Sequence, residues 1–78
     1  MKKTYFIDKI QNNDVNIVAE SIDDLQMKAA EYCFEHRDNS TKIYVHCSNV
    51  CSLTNMEQHV EYIVTVNNQK RTITTRRI

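Results

Sequence analysis

The chain has 78 residues and contains neither glycine nor proline. That double absence constrains the fold more than any motif. Glycine is the residue that enters the left-handed backbone region without a Cβ clash, and proline pre-sets the first corner of many turns. A chain without either must turn on residues that tolerate positive φ less well. Asparagine is the best of these. Asn12-Asn13, Asn39, Asn49, Asn55 and Asn67-Asn68 lie where turns are wanted. The same absence excludes the glycine-dependent phosphate cradles, both the P-loop and the dinucleotide fingerprint.

Between those punctuation points the hydrophobic pattern alternates twice, becomes helical, and alternates again. KKTYFIDKI (2–10) and VNIVAE (15–20) are β-rich and joined by a short polar link at 11–14, which predicts a β-hairpin. Val15, Ile17 and Ala19 share one face. SIDDLQMKAAEYCFEHR (21–37) predicts an amphipathic helix. Ser21 is its cap, and Asp24 three residues on makes a short-armed capping box. Asp23 and Asp24 suit the positive end of the helix dipole, and Arg37 the negative end. Ile22, Leu25, Ala29 and Cys33 form the apolar stripe, with Tyr32 and His36 at its margin. Asp38-Asn39-Ser40 stops the helix.

KIYVHC (42–47) predicts a strand with Ile43, Val45 and Cys47 on one face and Tyr44 and His46 on the other. SNVCSLTNM (48–56) is the least regular stretch and reads as a loop or a short irregular strand. EQHVEYIVTV (57–66) puts Val60, Tyr62, Val64 and Val66 on one face. RTITTRR (71–77) is the last strand, rich in β-branched threonine. The expected fold is therefore α+β in a single domain, 1–78. It consists of an antiparallel sheet of about five strands packed on one helix, in the order β-β-α-β-β-β.

Length and composition narrow the function. A chain of 78 residues that is 41% hydrophobic and 26% charged is globular rather than disordered, with a modest core. No apolar run approaches the roughly 18 residues of a membrane helix, and MKKTYFIDKI lacks an apolar signal core. A cytoplasmic location without membrane attachment follows as the expectation. The three cysteines, Cys33, Cys47 and Cys51, are an odd number and suit free thiols in a reducing compartment.

Formal charge is zero but uneven. Residues 1–40 hold five Lys/Arg and eight Asp/Glu, net −3, and residues 41–78 hold five and two, net +3. Lys70, Arg71, Arg76 and Arg77 crowd into the last nine residues without an acid among them. Two readings of this tail stay open. Lys and Arg on an edge strand resist aggregation, and the same charges can bind phosphate or an acidic protein patch. No aromatic residue lies among them to stack on bases.

His46, Cys47, Cys51 and His59 form the one ligand-like cluster. His46 and Cys47 point to opposite faces of a strand, so zinc is not expected. Glu57 and Glu61 read as solvated surface carboxylates, and no catalytic activity is expected. Of the tyrosines, Tyr62 reads as core and Tyr44 as the best exposed anchor. Tyr5, in phase with Ile7, is ambiguous.

MKKTYFIDKIQNN, the strand after it and ESIDDLQMKAAEYC resemble the small phage-encoded anti-CRISPR proteins that inhibit type I-F systems. The likeness covers roughly residues 1–47. It implies a sheet packed on one helix and binding to the backbone subunits of a crRNA-guided surveillance complex in the bacterial host. Pairing of target DNA with the guide would be blocked sterically, with no cofactor. The matching partner-binding positions would be Tyr5, Gln26 and Lys28. Tyr44 and the basic tail (Lys70, Arg71, Arg76, Arg77) join them on exposure and charge alone. Two other expectations remain: a small nucleic-acid-binding or regulatory protein using the basic strand, and an interaction module inhibiting another host enzyme. The chain would be a monomer or a weak homodimer paired through an edge strand.

Overall fold

The computed structural model describes residues 3–54, 56–67, 69–70 and 72–78. It has an α+β fold: β1 (Lys3–Ile10), β2 (Asn13–Ala19), α1 (Ile22–Glu35), β3 (Lys42–Cys51), β4 (Glu57–Asn67) and β5 (Thr72–Arg77). All strand pairs are antiparallel, and the sheet order is β2-β1-β3-β4-β5. The helix covers one face of the sheet, as a single apolar stripe requires.

The hairpin turn is tighter than the polar link suggested. Gln11 and Asn12 alone make it, with φ of 51° and 70°, the two successive positive values of a type I′ turn. Asparagine therefore carries only half of the load. Gln11 holds its position through several bonds to β3. Its N–H donates to the Tyr44 carbonyl (2.9 Å), its Oε1 accepts from the Tyr44 N–H (3.0 Å) and its Nε2 donates to the Lys42 carbonyl (3.1 Å). One side chain thus extends the β1–β3 ladder past the point where β1 turns away.

Strict alternation fails once in β1. Ile7 and Ile10 are both buried although three residues apart. The register against β3 runs Ile7↔Cys47 and then Lys9↔His46, so Asp8 is an extra residue in a bulge. The bulge returns Ile10 to the core and leaves Asp8 Oδ1 2.6 Å from His46 Nδ1.

Helix α1 starts and stops on local chemistry. Ser21 Oγ accepts from the Asp24 N–H (3.0 Å), and Asp24 Oδ2 accepts from the Glu20 N–H (3.1 Å). The reciprocal bond of the capping box thus lands one residue before the cap. At the other end the Asp38 N–H donates to the Cys33 carbonyl and the Arg37 N–H to the Phe34 carbonyl, which is a Schellman motif. Arg37, at φ 55°, occupies the position that usually falls to glycine.

The stretch 48–56 is more regular than its sequence implied. Ser48–Cys51 continues β3, pairing with β1 throughout and with β4 as far as Val50. Asn49 is consequently no turn residue: it is buried in mid-strand, 4% exposed. Its Nδ2 donates to the Tyr62 hydroxyl at 2.7 Å, and its Oδ1 accepts from Cys47 Sγ at 3.3 Å. Asn67 does act as expected, its Oδ1 accepting from the Gln69 and Lys70 N–H groups. Asn55 and Asn68 lie outside the described residues.

The core between helix and sheet is built from Leu25, Ala29 and Cys33 of α1 against Tyr5, Ile7 and Ile10 of β1, Ala19 of β2, Ile43, Val45 and Cys47 of β3, and Val60, Tyr62 and Val64 of β4. Ile22 and Tyr32 pack partly against it, whereas His36 is exposed and stacks on the Tyr32 ring at 4.0 Å.

Candidate protein-interaction surfaces

The expected partner-binding residues do not form a single site. Tyr5 lies in the core and not on a partner-facing surface. Its ring is 8% exposed and packs edge-on against Tyr62 at 6.3 Å. The in-phase neighbour Ile7 takes Tyr5 into the core, and burial, with Tyr62 and Cys47 nearby, raises the pKa of its phenol. The ring is not offered to a partner.

Gln26 and Lys28 are two residues apart and lie on opposite flanks of the helix. Gln26 Oε1 accepts from the Thr75 hydroxyl at 2.6 Å, tying the helix to β5. Lys28 Nζ donates to the Val18 carbonyl at 2.5 Å and pairs with Asp24 at 3.1 Å, tying the helix to β2. Both side chains are engaged within the molecule.

Tyr44 is exposed (52%) on the helix-free face of the sheet. Lys70 is exposed in the β4–β5 turn, and Arg71 lies outside the described residues. Arg76 and Arg77 are exposed on β5, the outer strand. Register puts Arg77 on the helix side, opposite Tyr62, and Arg76 on the helix-free side, opposite Ile63.

Sequence reading missed how the helix-free face is organised. Its centre is polar. His46 and His59 stack with centroids 6.0 Å apart, Asp8 contacts His46, and Ser48 Oγ lies 3.2 Å from His59 Nδ1. Glu57 Oε1 is 3.8 Å from His59 Nε2. Serine, histidine and carboxylate thus lie in line on the exposed sheet face. Apolar residues flank the centre: Tyr44 opposite Ile63 at one end, and Phe6 opposite Val18 towards the other. Tyr44, Phe6 and Val18 are all exposed. Alternation made Tyr44 and His46 visible in the sequence. The meeting of His46 with His59 depends on β3–β4 register and was not.

The second missed surface flanks the helix. Met27, Ala30 and Phe34 make a stripe beside the buried one. With Ile43, Val66 and Ile73 they line an open groove of about 1000 Å³.

The thiols are free and chemically unequal. Burial, with Asp8 nearby, pushes Cys47 up to about 11. Burial, then Asp38, raises Cys33. Cys51 is lowered by hydrogen bonds from the Leu53 and Thr54 N–H groups and the Thr54 hydroxyl. Cys47 faces the core while His46 faces the open side, so the ligand-like cluster of the sequence does not assemble.

No family model matches the chain, and no curated protein or solved structure does either. No helix among the described residues is long and apolar enough to cross a membrane.

Proposed function

We propose that this protein is a small inhibitor that works by occupancy, docking a rigid sheet face on a macromolecular partner and doing no chemistry of its own. The helix-free face carries this reading. It presents Tyr44, Phe6 and Val18 as exposed anchors around a polar centre, on strands held in place from behind by the core. Tyrosine and phenylalanine on a preorganised surface are what protein interfaces favour. A standard interface takes about 800 Å² per partner, about a seventh of the 5734 Å² accessible here. One face of such a sheet is of that order.

The partner class comes from the resemblance over residues 1–47. It is a type I crRNA-guided surveillance complex in the host cytoplasm, bound at its backbone subunits so that target DNA cannot pair with the guide. The α+β fold agrees with the sheet on one helix which that resemblance implies. With Tyr5 in the core, docking rests on Tyr44 and its neighbours.

The test is a mobility-shift assay with purified type I complex, its target DNA and this protein, run at low and high salt. Loss of DNA binding at both salts, relieved by Tyr44→Ala, is the expected result. DNA binding left intact by a stoichiometric excess of the protein overturns the reading. Binding of the protein to DNA alone, lost at high salt, would assign it to phosphate recognition through Arg76 and Arg77 instead.

A further inference from the structure

The sheet has two outer strands, and they are not equivalent. On β2, the Lys28 ammonium already sits on the Val18 carbonyl. On β5 the pairing with β4 fixes which backbone groups are free. The Ile78 N–H donates to the Glu61 carbonyl, so in an antiparallel ladder Arg76, Thr74 and Thr72 also bond to β4, and Arg77, Thr75 and Ile73 turn their N–H and C=O groups outward. Among the described residues no hydrogen bond reaches those outward groups.

Two further features lie along this edge. On the helix side runs the groove bounded by Met27, Ala30, Phe34 and Ile73; Glu31, Glu35 and Asp38 also line it, so a partner's acidic residues fit only at the Arg76–Arg77 end of the strand. The three helix residues are spaced i, i+3, i+7, an apolar stripe that the five strands do not cover. Phe34 is 83% exposed. The helix is thus apolar over a wider arc than its own sheet uses. The second feature is charge. Arg76 and Arg77 close the strand, one on each face, and neither has an acidic partner within salt-bridge distance among the described residues. The rest of the strand, Thr72–Thr75, is uncharged and β-branched throughout.

We propose that β5 accepts a sixth, antiparallel strand: an extended acidic segment of a protein partner. Its backbone would pair with Ile73, Thr75 and Arg77. Its apolar side chain opposite Ile73 would enter the groove against Phe34 and Met27, and its acidic residues would meet Arg76 and Arg77. Charge selects this occupant over β5 of a second copy, which brings the same two arginines and no acid, and on the other outer strand, β2, Lys28 already holds the Val18 carbonyl. Edge protection by arginine accounts for the charges but not for the uncovered stripe beside them. This surface meets the helix-free face only at Arg76, which lies in the row Tyr44–Ile63–Arg76, and it does not depend on which complex that face binds.

The probe is the capped peptide Glu-Glu-Val-Thr-Phe-Thr, titrated into isotope-labelled protein and followed by NMR. Saturable shifts at the Ile73, Thr75 and Arg77 amides and the Phe34 ring are expected. N-methylation of the peptide's valine and phenylalanine, whose N–H groups would face β5, is expected to weaken binding about tenfold or more. Arg76→Glu with Arg77→Glu, both exposed and outside the core, is expected to weaken it comparably. Three outcomes overturn the proposal: no saturable binding up to millimolar peptide, binding indifferent to N-methylation, or concentration-dependent self-association that occupies the same amides without peptide. Because the assay uses free protein and no surveillance complex, failure here leaves the inhibitor reading to its own test, and the reverse.

Discussion

Asn49 shows how much a single buried amide can hold. It donates to the Tyr62 hydroxyl and accepts a hydrogen bond from the Cys47 thiol inside an otherwise apolar core. Asn49→Ala would leave the Tyr62 hydroxyl without that partner, and a loss of about 1–3 kcal/mol in urea unfolding is expected. The thiols give a second residue-scale expectation, since the thiolate is the reacting species. Cys51, lowered by the Leu53 and Thr54 N–H groups, should react first with a thiol reagent at pH 7–8, as counted by mass spectrometry. Cys47 and Cys33, raised by burial, should be modified only when the protein unfolds. Equal rates for all three in native protein would contradict the buried placement.

At the scale of elements, the left-handed backbone lies in the β1–β2 turn, at Gln11 and Asn12, and just past the helix C-terminus, at Arg37. Arg37 at φ 55° holds a left-handed position that glycine would occupy without a Cβ clash. Arg37→Gly should therefore stabilise the fold by about 1 kcal/mol, read as a rise in Tm. Asp24 at the first turn is lowered by the Glu20 N–H and then by Lys28. A carboxylate whose folded pKa lies below its unfolded value of roughly 3.9 stabilises the fold fully above that value. The stabilisation is lost as pH falls through the lower, folded pKa. Asp24→Asn should thus lower Tm near pH 7, with the gap to the parent protein closing in acid. A constant gap down to pH 2 would mean that the charge of Asp24 contributes nothing.

On the scale of the whole molecule, zero net charge hides an unequal distribution. Acidic residues cluster on the helix, with Asp23, Asp24, Glu31 and Glu35, while the last strand carries Arg76 and Arg77. Such a field orients an approaching partner and affects association rate more than final affinity. Changing Lys70, Arg76 and Arg77 together to Ala should leave the far-UV circular dichroism and Tm near those of the parent, since all three are exposed. It should slow association with an acidic partner several-fold at low salt, and less at high salt. Association unaffected at either salt would reduce these residues to guardians of the sheet edge.

Periodicity and capping, read from the sequence, determined each element's kind and most of its faces. The Ile22–Leu25–Ala29–Cys33 stripe, the alternation of Val60, Tyr62 and Val64, and the Ser21 cap depend on neighbours within a turn or a strand, so a linear pattern contains them. What the tertiary structure decided depends on which strand lies beside which. β1 pairs with β3 across the intervening hairpin and helix, and that pairing draws Ser48–Cys51 into the sheet and buries Asn49. The Asp8 bulge and the Gln11 clamp follow from the same register, and the stacking of His46 on His59 from that of β3 and β4. Of the candidate sites, Tyr44 was visible in the sequence because alternation sets its face. Tyr5 was not resolved, because facing the core or the solvent hinges on which side of the sheet the helix packs. The Met27–Phe34 stripe has a legible spacing, but only the width of the sheet beneath it shows that it is left uncovered. Side-chain direction is local to the backbone, whereas burial belongs to whatever packs against it, and the β1–β3 pairs and the Gln26–Thr75 bond join residues 35 to 49 positions apart.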